Sequence, residues 1–179
     1  MIVVGHSMGG HNAMTFAALH PRRVAALVIV DSRPSIPAER LTVMHARGRR
    51  LPRLHTSEEA AIQSFRLLPR ETVADRELLA HVARAGLTQR SGGWAWRFDP
   101  ATHGARQPVD AWPLLSRITA PTLITRAALS PVLTEEMAER LRASVPHASL
   151  VTIPGAYHHL TLDRPTEFTT ALSTFLAAL

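Results

Sequence analysis

The sequence predicts an α/β protein in which helices flank a parallel sheet of about four strands. Two observations carry this prediction. Short, almost unbroken apolar runs rich in Val, Ile and Leu recur along the chain, as expected for strands that are buried on both faces. Stretches with the apolar spacing of a helix lie between these runs, and 46% of the 179 residues are hydrophobic, which suffices for a compact core.

The composition of the chain argues against several classes of protein. The formal charge is +6, but the 20 basic residues, all arginine, are scattered among acidic residues and prolines, so we expect no nucleic-acid partner. No apolar run approaches the ~20 residues that span a bilayer. No basic leader precedes an apolar stretch, so we expect a cytoplasmic protein. The absence of cysteine excludes disulfides and thiolate metal sites.

The first segment, MIVVGHSMGG, predicts a strand, a tight turn and the start of a helix. MIVV is an apolar, β-branched run bounded by glycine, which is typical of a buried strand. Residues 8–20 have helical spacing of apolar side chains, and Pro21 lies just beyond them and helps to end the helix. This order places Ser7 at the apex of the turn.

The segment GHSMG fits the pattern G-x-S-x-G, in which a strained strand-to-helix turn presents a serine hydroxyl above the sheet. We expect Gly5 and Gly9 to lack side chains so that strand and helix can approach closely, and Gly10 to add a small surface under the helix. The amide of Met8 is expected to point to the same spot as an oxyanion donor. The alternative is a glycine-rich turn with an incidental serine.

Three further strands and three helical segments complete the predicted core. The strands are expected over residues 24–31, 121–126 and 148–154. The helical segments are a short stretch around DAWPLLSRI, an amphipathic helix opened by Thr134, and a closing helix that begins near residues 163–165 and has Phe168, Leu172, Phe175 and Leu176 on one face.

The order of these elements resembles the second half of an α/β-hydrolase, the large group of esterases, lipases and lactonases. In that family the segment that reads GAYHHLTLDRP here carries the catalytic histidine directly after G-A-x, which implies His158 as the general base. His6 and His159 are expected to face the substrate, or His159 to pack beside the base. The alternative is that both histidines of the HH pair lie on a surface loop. A metal site from His158, His159 and Asp163 lacks a second ligand cluster, so we expect no metal and no cofactor.

The imidazole needs a carboxylate to orient it, and the position of that carboxylate is where this sequence departs from the family pattern. In similar hydrolases it usually follows the strand that reads TLITR here, but this chain has AALSPVL. Leu129, Ser130 and Pro131 stand where an aspartate is expected. Asp31, at the end of the preceding strand, is therefore the candidate acid, because some members of the fold carry their acid there. The alternative is that Asp31 caps the turn.

The resemblance divides the chain into core residues 1–33, an insertion over 34–109 and core residues 110–179. The insertion has short helical pieces, including TSEEAAIQSFRLL, which opens at Thr56 or Ser57, and ETVADRELLAHVARAGL. In the family an insertion at this point is a lid over the active site. Trp94 and Trp96 of GGWAWRFDP are expected either to contact an apolar part of the substrate or to hold the lid to the core.

The resemblance implies hydrolysis of a carboxylic ester, thioester or lactone through an acyl-Ser7 intermediate. Two alternatives stay open: C–C bond hydrolysis or cofactor-free perhydrolysis on the same fold, and a non-catalytic remnant that serves as a binding or dimerisation module. Dehalogenases and epoxide hydrolases are disfavoured, because their nucleophile at this turn is a carboxylate.

The first predicted strand stands at the very start of the sequence. Family members place several strands and helices before it, so we expect a truncated member of the family. An apolar strand with an open edge favours pairing with another chain, so we expect a possible homo-oligomer through this strand.

Overall fold

A four-stranded parallel sheet organises the larger of two compact units in the computed structural model, which describes residues 1–50 and 53–179. We call this unit the core unit; it comprises Met1–Ser35, Glu71–Val73 and Val109–Leu179. The other, the insertion unit, comprises Ile36–Arg70 and Ala74–Pro108. The core unit confirms the predicted fold class of four parallel strands flanked by helices.

The four strands of the core unit lie where the apolar runs predicted them, with ends that differ by a few residues. Every neighbouring pair is parallel: Gly5 lies opposite Ile29, and Ile29 opposite Ile124. The two central strands are buried along their whole length, which explains why their sequences lack polar alternation. In their order across the sheet, the strands are β1 (Ile2–His6), β2 (Ala26–Val30), β5 (Thr122–Ala127) and β6 (Ala148–Ile153).

Alternate side chains of the central strands enter two hydrophobic layers, one on each face of the sheet. Ile29 packs in the layer that contains Met14 of the first helix, whereas Val28 packs in the layer that contains Leu160 and is covered by Phe168 of the last helix. Because apolar side chains cover both faces of the sheet, polar groups can lie together at the ends of the strands.

Helices cover both faces of the core sheet. The amphipathic helix α6 begins after Thr134, as predicted, and the Thr134 hydroxyl accepts a hydrogen bond from the amide of Met137. The stretch around DAWPLLSRI forms a short 3₁₀ helix rather than an α-helix, with a proline in its first turn. The helices of the core unit are α1 (Met8–Leu19), α6 (Glu135–Ser144), α7 (Leu160–Asp163) and α8 (Pro165–Ala177), and the 3₁₀ helices are Pro21–Arg23 and Trp112–Arg117.

Strand β1 forms one edge of the sheet and pairs with β2. Its Ile2 and Val4 side chains are 50% and 52% exposed, whereas all five residues of β2 are buried. An apolar edge of this kind can add a further strand.

In its described residues, the insertion unit contains four helices and an antiparallel hairpin. Ser57, rather than Thr56, caps α3, because its hydroxyl accepts the amide of Ala60 at 3.1 Å. The hairpin was not predicted, although the two-residue spacing of Trp94 and Trp96 is the period of a strand. The elements are α2 (Ala38–Gly48), α3 (Glu58–Ser64), α4 (Arg76–Ala85), β3 (Leu87–Arg90), β4 (Gly93–Trp96) and α5 (Ala101–Gly104). Within the described part of the chain, no helix combines the length and the apolar character that crossing a bilayer requires.

Candidate active site

Ser7 occupies the sharp turn between β1 and α1 in a backbone conformation that side chains rarely adopt, with φ 52° and ψ −116°. Neighbouring groups hold it there. The Ser7 amide donates to the carbonyl of Val30 at 3.0 Å, and the Ser7 carbonyl accepts from the Ser32 hydroxyl at 2.6 Å and from the His11 amide at 3.0 Å. The turn therefore has the strained geometry that the GHSMG pattern predicts.

Two glycines allow the close approach of strand and helix at this turn, and they are Gly5 and Gly10. A Cβ on Gly5 would lie 2.4 Å from the carbonyl oxygen of Gly9, and one on Gly10 would lie 2.5 Å from the Cβ of Ser32. A Cβ on Gly9 would meet no described atom within 4 Å. The expected steric need for glycine at position 9 is therefore wrong, because that side of the helix faces open space.

His158 lies between Ser7 and Asp31, although 151 residues separate it from the serine. Its Nε2 is 2.8 Å from the Ser7 Oγ, and its Nδ1 is 2.7 Å from the Asp31 Oδ2. A carboxylate accepts only, so Nδ1 carries the proton and Nε2 is left to accept from the serine hydroxyl. The imidazole is 2% exposed and the aspartate is fully buried. The structure thus brings together the three residues predicted as nucleophile, base and acid.

The buried carboxylate of Asp31 is held by three donors. The Ala127 amide donates to Oδ1 at 2.9 Å, and the Ser130 hydroxyl donates to Oδ2 at 2.5 Å, the oxygen that also faces His158. Asp31 also has a positive φ of 41°, and among the described residues only it and Ser7 share this property without being glycine. The hydrogen bonds from Ala127 and Ser130 compensate the cost of burying the carboxylate charge. They also direct the Oδ2 of Asp31 toward the imidazole of His158.

Ser130 is not among the site residues predicted from the sequence, but its side chain contacts Asp31. Its hydroxyl donates to Asp31 while it accepts the amide of Val132 at 3.0 Å, so both of its hydrogen-bonding roles are directed by neighbours. The sequence did indicate a place near the candidate acid, because Ser130 stands where similar hydrolases have an aspartate. A hydroxyl at that position contacts a carboxylate that comes from the neighbouring strand.

His6 and His159 both lie against His158. The His6 ring centroid is 4.7 Å from that of His158, and the His159 centroid is 5.0 Å from it. The His6 Nε2 is 2.8 Å from the His158 carbonyl oxygen, and because a carbonyl can only accept, Nε2 carries a proton. Burial lowers the pKa of His6 to about 4, although this hydrogen bond partly opposes the effect. His6 is therefore neutral near pH 7 and fixes the backbone of the base. Substrate contact by His6 and His159 stays a prediction.

Asp163 anchors the loop that carries His158. Its carboxylate accepts the amide of Tyr157 at 2.7 Å and the amide of Val73 at 3.0 Å, together with the Thr72 hydroxyl. Asp163 is buried, so these donors replace water. The loop therefore begins from a fixed point one residue before the histidine.

The remaining predicted site residues are Met8, Trp94 and Trp96. Met8 is the first residue of α1, where backbone amides have no partner within the helix. Trp94 and Trp96 lie on β4 of the insertion unit, and the Trp96 ring is 5.5 Å from that of Phe65. Their roles toward a substrate stay predictions. Among the described residues, no group of three or more His, Cys, Asp or Glu side chains is arranged to hold a metal ion.

The buried His6 predicts a pH-dependent stability. Its pKa is about 4 in the folded chain against an ordinary value of 6.5, so the unfolded chain binds more protons between these values. Stability is therefore lost as the pH falls from 6.5 to 4, by about 3 kcal/mol from this residue. His6→Gln keeps an amide donor for the His158 carbonyl and should remove this part of the loss.

Urea unfolding at pH 7 and pH 4 measures this difference, and His147→Gln, which removes an exposed imidazole, is the control. An equal loss of stability in His6→Gln and in the wild type would contradict the assignment.

The chain is similar to known proteins in sequence and in fold. The sequence model of a family described as "alpha/beta hydrolase fold" matches residues 1–165. The chain is 26% identical over 181 residues to sn-1-specific diacylglycerol lipase ABHD11 of Danio rerio, covering 98% of this chain and 56% of that one. It is 28% identical over 191 residues to 2-(acetamidomethylene)succinate hydrolase of Mesorhizobium japonicum, covering 99% and 64%. The chain thus spans about three fifths of the length of these relatives.

Solved structures resemble the fold closely. The crystal structure of E-2-(acetamidomethylene)succinate hydrolase superposes with a TM-score of 0.82 and 26% identity, over 98% of this chain and 66% of that one. The esterase Rv0045c of M. tuberculosis superposes with a TM-score of 0.80 over 97% of this chain and 61% of that one, and at 22% identity it supports the fold alone.

Proposed function

This chain belongs to the α/β-hydrolase family, and from that premise we propose that it is a serine hydrolase acting on a carboxylic ester, thioester or lactone. Membership confirms the resemblance predicted from the sequence. The single observation that supports the serine mechanism is the chain of hydrogen bonds from Asp31 through His158 to Ser7, at 2.7 and 2.8 Å.

In the proposed mechanism the Ser7 Oγ attacks the carbonyl carbon of the substrate and passes its proton to the His158 Nε2. Negative charge develops on the carbonyl oxygen, and the Met8 amide is the proposed donor to it. The imidazolium then protonates the leaving alcohol or thiol as its bond to carbon breaks, which leaves an acyl-Ser7. Asp31 stabilises the imidazolium without itself taking the proton.

The second half of the cycle uses the same groups in reverse. His158 takes a proton from water, whose oxygen attacks the acyl carbon, and then returns that proton to the Ser7 oxygen as the acid product leaves. The neutral His6 beside it does not compete for this proton near pH 7, because its pKa is about 4.

The relatives support a hydrolase, since their names are those of a lipase, an esterase and a succinate-derivative hydrolase. A lid role for the insertion unit, pairing of a second copy with β1, and a cytoplasmic location belong to the same proposal. These three parts rest on the sequence.

The test is covalent labelling with a fluorophosphonate, which reacts only with activated serines, followed by mass spectrometry. We expect one label per chain, on the peptide that contains Ser7, and parallel loss of turnover of p-nitrophenyl acetate, a thioester or a lactone. Turnover that survives full labelling would contradict the mechanism. Absence of both label and turnover would favour the non-catalytic binding module.

A further inference from the structure

The insertion unit contains an arginine whose buried edge has no partner. The Nε and Nη2 of Arg106 are shielded from solvent, and neither has an acceptor within hydrogen-bond distance in the described part of the chain. These two nitrogens form the side of the guanidinium that presents two parallel N–H groups. That side pairs with both oxygens of a carboxylate or phosphate.

A buried N–H without an acceptor is costly, and the cost is larger when the N–H belongs to a charged group. Arg106 as a whole is half-buried, so this cost falls on the Nε–Nη2 edge of its guanidinium. Arg84 of the same unit illustrates the ordinary solution, since its Nε is 3.2 Å from a carboxylate oxygen of Glu58. Burial lowers the pKa of Arg106. The Nε–Nη2 edge of its guanidinium lacks an acceptor among the described residues.

Two further groups, the His103 ring and the Arg47 guanidinium, belong to the surroundings of Arg106. The Nδ1 of His103 is likewise buried and without a hydrogen-bond partner among the described residues. Burial, and then the charges of Arg106 and Arg47, lower the pKa of His103. The His45 Nε2 donates to the Arg106 carbonyl at 2.7 Å, so this hydrogen bond uses the backbone of Arg106 and not its guanidinium.

The backbone brings these groups together. Helices α2 and α5 approach so closely that a Cβ on Gly48 would lie 2.0 Å from the amide nitrogen of Gly104. Arg47 precedes the first of these glycines, and His103 and Arg106 flank the second. Close helix contact at the glycine pair thus concentrates basic groups from both segments.

We propose that Arg106, together with Arg47 and His103, forms a binding site for an oxyanion of the carboxylate or phosphate class. The site is built entirely from residues of the insertion unit, and it goes beyond the proposed hydrolysis, on which it does not depend. The guanidinium edge of Arg106 supplies two parallel hydrogen bonds, His103 a further polar contact, and Arg47 long-range attraction.

The experiment compares anion binding in the wild type, Arg106→Gln and Arg90→Gln. Arg90 is exposed on β3, so its replacement removes the same charge from the same unit. Acetate, succinate and inorganic phosphate are titrated at constant ionic strength with chloride, and the melting temperature and calorimetric binding are recorded. The wild type and Arg90→Gln should show saturable stabilisation at one site per chain, and Arg106→Gln should bind at least tenfold more weakly. The preferred anion identifies the ligand class.

A second readout separates binding from a structural role. In buffer without these anions, Arg106→Gln should be at least as stable as the wild type, because it removes two shielded guanidinium nitrogens that have no acceptor among the described residues. Arg47→Gln, on an exposed side chain, should weaken binding and carries the test if Arg106→Gln does not fold. Equal binding by Arg106→Gln and wild type, or no saturable binding of any of the three anions, would overturn the proposal. So would marked destabilisation of Arg106→Gln in anion-free buffer.

Discussion

Replacement of Ser7 by alanine is expected to abolish hydrolysis, lowering kcat by a factor of about 10⁵–10⁶. The variant loses the only oxygen that lies within 2.8 Å of the His158 Nε2 among the described side chains. Alanine keeps a Cβ at the same strained φ of 52°, so the turn gains no new conformational freedom. The bonds from the Ser7 backbone to Val30 and Ser32 remain available.

The measurement is the rate of p-nitrophenyl ester hydrolysis together with fluorophosphonate labelling. Ser173→Ala, which removes an exposed hydroxyl on α8, is the matched control and should keep wild-type activity. The melting temperature of Ser7→Ala should stay close to that of the wild type. If the Ser7→Ala protein retained more than about one hundredth of the activity, another nucleophile would have to be sought.

Replacement of Asp31 by asparagine is the second large effect, with an expected fall in kcat of about 10³–10⁴-fold and little change in KM. The donors around Asp31 decide this result. The Ala127 amide requires an oxygen at the position of Oδ1, so the asparagine nitrogen takes the position of Oδ2. There it donates toward the His158 Nδ1, which must lose its proton. The proton then lies on Nε2, and His158 cannot accept from Ser7.

Two variants at Ser130 test the second donor to this carboxylate. Threonine and valine have the same shape, so Ser130→Thr and Ser130→Val differ only in the hydroxyl that donates to Asp31. We expect Ser130→Thr to keep most of the activity and Ser130→Val to lose about tenfold in kcat, in line with a lost hydrogen bond to a charged group.

Wild-type activity in Asp31→Asn would assign the acid to another residue and contradict this arrangement.

Much of the core could be predicted from the sequence because its signals are local. The apolar run of β2 reflects burial on both faces, and it lies within a few consecutive residues. The turn at Ser7 could be predicted from five consecutive residues, GHSMG, although Val30 and Ser32 from elsewhere in the chain hold its backbone. The hairpin of β3 and β4 was missed because its aromatic spacing lies in a segment without a long apolar run.

Local pattern alone determined the four strands and the strained serine turn, because each depends on residues that are neighbours along the chain, and the resemblance to the family added the histidine segment. Tertiary structure alone decided which carboxylate meets His158, since Asp31 lies 127 residues away and becomes its partner only when the ends of β2 and β6 share one edge of the sheet. It also decided that Ser130 donates to that carboxylate and that the edge of Arg106 has no acceptor among the described residues. Burial and hydrogen-bond partners are properties of packing, and the order of residues does not contain them.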